Sequence, residues 1–99
     1  MARSLLRITL LGMNARLIKK LMEHFSADYV RVCDDSHKHK HFGRENSHFS
    51  ILVVSSKFKG MTLLKRHQSI HNLFSEELAG TIHALKIKAS TPEEYQGAG

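Results

Sequence analysis

The amino-acid sequence predicts the α+β class: one small domain of αββαβα order, with a mixed three-stranded sheet packed by helices. Three observations predict it. Apolar residues recur at helical spacing in two long stretches. A short alternating run, a β-branched run and a second alternating run read as strands. A strand, helix, strand passage then closes a right-handed crossover, which makes the sheet mixed. A chain of 99 residues buries only about 60 to 70% of its unfolded surface and builds one core rather than two. The expected division is a basic, apolar lead segment over 1–13, the domain over 14–95 and a flexible tail over 96–99.

Leu10, Leu17, Leu21 and Phe25, with Met13 and Ile18 beside them, predict a first helix over about 14–25, with Asn14 capping its first turn just after Gly12. YVRVC (29–33) alternates, with Val30 and Val32 on one face and Tyr29, Arg31 and Cys33 on the other. HFSILVVSS (48–56) is rich in β-branched residues and reads as a mostly buried strand, antiparallel to the first across a long polar loop. KFKGM turns the chain at Gly60. Thr62 then opens the longest helix, whose stripe of Leu64, His67, Ile70, His71, Phe74 and Leu78 ends at Gly80. TIHALKIKA (81–89) is a third strand, with His83 on the face of Leu85 and Ile87, at the edge of the core. Thr91 as cap, Pro92 at the first helical position and Glu94 completing a capping box announce a short last helix before a loose QGAG.

Fifteen Lys and Arg against nine acids give a net charge of +6, a balance that favours phosphates or an acidic protein surface as partners. The single cysteine, Cys33, excludes an internal disulfide framework and a four-cysteine zinc site, and fits a reducing compartment. No run approaches the roughly 20 apolar residues of a membrane-spanning helix. MARSLLRITLLGM is basic, acid-free and apolar, the character of an organelle-targeting leader and equally of a lead into the first helix. The expected compartment is therefore cytoplasmic, with mitochondrial as the alternative.

Few residues suggest catalysis. There is no glycine-rich phosphate loop and no GxSxG, and Glu76-Glu77 and Glu93-Glu94 read as solvated helix faces and caps. His67 and His71 have the spacing of two metal-binding imidazoles on one helix, but Gln68 stands where a metalloprotease carries glutamate; the simpler reading packs them at the border of the core, with Arg66 pointing outward. Four of the eight histidines lie in DDSHKHKHFGRENSHFS (34–50). Neutral imidazole there is a ligand for zinc, copper or iron, while the interleaved lysines disfavour a bare cation and favour a cluster of net negative charge. By spacing alone, the loop reads as solvated.

SHFSILVVSSKFKGMTLLKRHQSIHNLFSEELAGTIHALKIKASTPEEY, with DDSHKH before it, resembles the BolA family. The resemblance covers about 14–95 and rests on a combination: SHF leading an apolar strand, VVSxxFxG, LxxRH, EEL, IHAL and TPEE followed by Tyr95. It departs from the family at Gln68, where RHQ replaces RHR, and at Tyr95, where Trp is usual. The resemblance implies a fold related to class II KH domains, although the GxxG clamp of KH domains is missing here. It also implies partnership with a monothiol glutaredoxin, which bridges a [2Fe-2S] cluster with its own cysteine and glutathione. His83 of IHAL then matches the family's histidine ligand. The second ligand comes from the loop between the first two strands, where His39 falls on the position; His37 and His41 are runners-up, and Cys33 a poorer one. His48 and His67 match family positions that read as structural.

The expected function is a non-enzymatic adaptor in iron-sulfur trafficking or iron regulation, apo and monomeric when isolated. The alternative is a BolA-type DNA-binding transcriptional regulator, with Lys65, Arg66, Lys86 and Lys88 as the contacting residues.

Overall fold

The computed structural model describes residues 2–35, 48–80 and 82–98. Helix α1 (Ala2–Phe25) leads into strands β1 (Tyr29–Asp34) and β2 (His48–Val54). A 3-10 turn (Ser56–Phe58) and helices α2 (Leu63–Leu73) and α3 (Ser75–Ala79) follow, then strand β3 (Ala84–Ser90) and helix α4 (Pro92–Ala98). The sheet order is β1-β2-β3, with β1 antiparallel and β3 parallel to β2. The mixed α+β architecture is thus the expected one.

Register explains which face is buried. Val30 and Val32 pair with Val53 and Ile51, and Phe49, Ile51 and Val53 pair with Leu85, Ile87 and Ala89. All point to one side, because side chains alternate along each strand. Against that side α1 lays Leu17, Leu21 and Phe25, three positions on one helical face, and the chain from 58 to 82 adds Phe58, Ile70, Phe74 and Ile82; none of these seven exceeds 5% exposure. The opposite side carries Arg31, Cys33, Ser50, Leu52, Lys86 and Lys88 and stays open.

Several local expectations change. Helix α1 begins at Ala2 rather than near 14, with a break at Gly12 (φ 80°, ψ −169°), a conformation open only to glycine. Strand β2 ends at Val54, and Ser55, whose N–H still donates to Ser90 O (2.9 Å), caps the following turn: its hydroxyl donates to Phe25 O (2.6 Å) and accepts from Lys57 N (3.1 Å). The long helix is two helices, parted where the buried Phe74 turns to φ −104°, ψ 24°. Its stripe is also rotated: Leu64 is 67% exposed and His71 is exposed, while Arg66 and Glu77 are buried beside Ile70 and Phe74. Strand β3 starts at Ala84, so His83 precedes it. Helix α4 runs through Ala98, into the tail expected to be loose, and it opens with the expected capping box, Glu94 N to Thr91 Oγ1 (3.2 Å) and Thr91 N to Glu94 Oε1 (3.0 Å).

Two charged residues read as solvated are structural. Arg66 is 4% exposed. Its guanidinium donates to Met61 O (3.0 Å), Ala89 O (3.1 Å) and both oxygens of Glu94 (2.6 and 3.1 Å), which fastens α2 to the end of β3 and to α4. Glu77 is 3% exposed and accepts from Arg16 (2.6 Å) and Lys20 (2.8 Å) of α1. The Arg66 hydrogen bonds, with the Thr91 amide, hold the Glu94 carboxyl down at about 2. Burial raises the Glu77 carboxyl, but the Lys20 and Arg16 hydrogen bonds outweigh it and leave it below its ordinary value.

Candidate functional site

The site is built where β2 and β3 begin. Ile82 is 1% exposed, and its N–H donates to Glu77 O at 2.7 Å, so the backbone entering β3 is pinned from both sides. That pinning presents His83, the next residue, to solvent. On the neighbouring strand His48 pairs with Ala84, and its carbonyl accepts from Asp35 N at 2.7 Å. Ser50 Oγ donates to the Asp35 carboxylate, which steadies the same corner. The His48 and His83 ring centroids lie 5.4 Å apart, with their planes inclined by 52°.

The structure therefore sets His83 beside His48, a residue the sequence reading assigned to a structural role. His39, His37 and His41 lie outside the described residues, in the segment whose anchors, Asp35 and His48, close this corner. Cys33 is exposed on the open face, on the rung of Ser50 and Lys86. Because β2 lies between β1 and β3, Cys33 stands about 10 Å across the sheet from β3, two strand spacings away. Among the described residues no group of three His, Cys, Asp or Glu converges on one point, the His67 and His71 pair included. A signal for His48 was present in SHF at the strand's start, but its neighbour is revealed only by the parallel register.

The basic residues divide. Lys86 and Lys88 are exposed on the open face together with Arg31, and Lys65 is exposed on α2. Arg66, expected to point outward as a nucleic-acid contact, is buried in its own hydrogen bonds.

Against known proteins, the family model described as BolA-like protein matches residues 21–94. The DNA-binding transcriptional regulator BolA of Escherichia coli is 35% identical over 82 residues, which cover 83% of this chain and 78% of that protein. The chain belongs to the BolA family. BolA-like protein 1 of Mus musculus is 39% identical over 82 residues, covering 83% of this chain, and the match spans 60% of that protein's length. Among solved structures, the BolA domain of SufE1 from Arabidopsis thaliana superposes with a TM-score of 0.79 at 35% identity, covering 84% of this chain and 95% of that one. The α+β fold described above is thus the BolA fold. Among the described residues of this BolA chain, no helix is long and apolar enough to cross a membrane.

Proposed function

We propose that this chain is a non-enzymatic adaptor that docks a monothiol glutaredoxin and helps to ligate a [2Fe-2S] cluster bridging the two proteins. The observation that carries this reading is His83, an exposed imidazole whose backbone is fixed by the buried Ile82, on the sheet corner where the segment containing His39 is anchored. The donor set suits the group. Imidazole ligates one iron of a [2Fe-2S] centre when thiolates hold the other, and the partner's cysteine and glutathione are thiols. Lys86 and Lys88 add positive charge on the adjoining face, which favours a cluster of net negative charge.

When bound, such a cluster supplies iron and one-electron redox chemistry. The chain's part is to offer His83 and a second donor, His39, with His37, His41 and Cys33 as runners-up. The work suits a reducing compartment, cytoplasmic, or mitochondrial if residues 1–13 act as a leader. To test it, the chain is mixed with a monothiol glutaredoxin, glutathione and a cluster source, and visible absorption and circular dichroism are recorded. The mixed-cluster spectrum should disappear with His83→Ala. An unchanged spectrum would remove His83 from the ligand set.

A second reading is supported by the Escherichia coli relative, named as a DNA-binding transcriptional regulator, and by the exposed Arg31, Lys86 and Lys88 on one open sheet face. Duplex binding there would release counterions, so affinity should fall steeply with salt. Absence of any salt-sensitive shift at low ionic strength would reject this reading.

A further inference from the structure

Leu63 and Leu64 are the first two residues of α2, and they are 66% and 67% exposed. Single exposed leucines are ordinary on a protein surface, but two in succession at the tip of a helix make one apolar cap. The cap stands on a rigid mount. Phe58 is fully buried, Met61 N donates to Phe58 O at 3.0 Å, Gly60 turns the chain at φ 82°, and the Arg66 guanidinium holds Met61 O at 3.0 Å. Thr62 then closes the helix start by accepting from Lys65 N at 3.2 Å. Lys57 and Lys59 in the preceding turn and Lys65 in the first turn of α2 are all exposed. No Asp or Glu occurs from residue 46 through 75, so nothing in this stretch offsets the lysines or the positive end of the helix. At the neighbouring start of α4, Glu94 is taken up by Arg66, and exposed Glu93 sets one negative charge against three lysines.

The extent of the apolar area selects what covers it. A helix that docks along its length on a partner needs apolar residues at i, i+3, i+4 and i+7, but one and two turns beyond the leucines α2 carries the polar His67, Gln68 and His71. An apolar cap one turn deep falls far short of the roughly 800 Å² per partner of a stable protein interface. One turn, about 5.4 Å, does match the depth of about 5–10 Å to which apolar side chains enter the boundary between lipid headgroups and acyl chains. Nucleic acid would offer phosphates to the lysines but no apolar surface to both leucines. We propose that the start of α2 is a docking tip for an anionic lipid surface, with Leu63 and Leu64 entering the acyl boundary and Lys57, Lys59 and Lys65 meeting the lipid phosphates. The contact is peripheral and reversible, because so few apolar and charged groups make a weak anchor. Arg66 also donates to Ala89 O near the end of β3, which places the tip at the end of the strand opposite His83, roughly 20 Å away at about 3.3 Å per residue. A docked chain therefore keeps His83 open to a protein partner, and the tip does not depend on the cluster reading.

The test uses the full chain with vesicles of phosphatidylcholine, alone or mixed with phosphatidylglycerol. The sequence holds no tryptophan, so Leu64→Trp places a single indole at the tip. With phosphatidylglycerol present, its emission should shift to the blue and be quenched by acyl-brominated lipid; with phosphatidylcholine alone, neither should happen. In co-sedimentation, each of Lys57→Gln, Lys59→Gln and Lys65→Gln should weaken partitioning about fivefold. Leu63→Ser combined with Leu64→Ser should weaken it by about tenfold or more, with the thermal midpoint unchanged, because both positions are exposed. Added salt should release the chain. Residues 1–13 are also basic and apolar, so sedimentation that survives both leucine changes at full strength would assign binding to that segment and overturn the proposal. An indole shift caused by a DNA duplex, or by raising the protein concentration, but not by anionic vesicles would assign the tip to nucleic acid or to a second copy of the chain and overturn it equally.

Discussion

The parallel pair β2–β3 has two ends, and they are built on opposite principles. At the far end, where β3 runs into Thr91, the polar groups of Ser55, Arg66, Thr91 and Glu94 are committed to one another and to the backbone. Ser55 N donates to Ser90 O at 2.9 Å, Arg66 bonds Ala89 O, and Glu94 closes both the guanidinium and the first amide of its own helix. At the near end, His48 and His83 put two ring systems side by side at the surface. The difference lies in how the two ends spend their polar groups. Interior charge with several partners holds the far end rigid, and the near end is left with side chains whose chemistry can be lent outward.

The largest effect should come from emptying the sealed end. Phe58 is fully buried, with its ring 4.9 Å from that of Phe25 and 5.8 Å from the Arg66 guanidinium. Phe58→Ala is expected to lower unfolding free energy by about 3–5 kcal/mol in a denaturant titration. Arg66→Met should cost less, about 1–3 kcal/mol, because it keeps apolar volume while orphaning the Ala89 and Met61 carbonyls. The mixed-cluster spectrum should not change in Arg66→Met; if it does, the two ends are not separable.

Acid should act on the sealed end through Glu94 and on the tie between α1 and α3 through Glu77. Glu94 titrates at about 2 when folded against an ordinary 4.5, and the folded Glu77 also lies below 4.5. Folded carboxyls that bind protons less readily stabilise the protein above the ordinary value, and that contribution is lost as pH falls from about 4.5 through the folded values. Thermal midpoints should therefore be level above pH 5 and decline below about 4.5, more gently in Arg66→Met, which has already given up the Glu94 contribution. The smallest effect should be at the open end: His83→Gln should change stability by no more than about 0.5 kcal/mol while removing the mixed-cluster spectrum. A large destabilisation would mean that His83 holds the fold rather than serving a ligand.

How much of this was legible in the sequence depends on how far apart the cooperating residues lie. The capping box of Thr91, Pro92 and Glu94 could be read because all its parts fall within one turn. The strands could be read because alternation is local, and the crossover made the sheet mixed without any knowledge of contacts. Arg66 and Glu77 could not be read in the same way. A charged residue on a helix is ordinarily solvated, and the carboxylate that receives Arg66 lies at 94, while the cations that hold Glu77 lie at 16 and 20. The stripe of the long stretch was drawn on its leucines and histidines, whereas Leu63 and Leu64 are two-thirds exposed and the buried face runs through Arg66. At the candidate site, His83 was found through the IHAL motif. His48 was read as structural, as the residue that opens the SHF strand, whereas the bend before Ala84 takes His83 off the core face expected for it and brings the two rings within 5.4 Å.

The parallel pairing also orders events in time. The β1–β2 pair joins neighbouring strands, but the starts of β2 and β3 meet only after the intervening turn and helices have closed the crossover, a non-local step of the kind that slows folding. A cluster that needs His83 beside the start of β2 therefore has no complete site in a chain that has formed only its first hairpin. Its presence draws the equilibrium toward the completed crossover. Amide exchange along the β2–β3 ladder should slow on cluster loading while the β1–β2 ladder changes less, making His83 a chemical clasp on the pairing that closes the crossover.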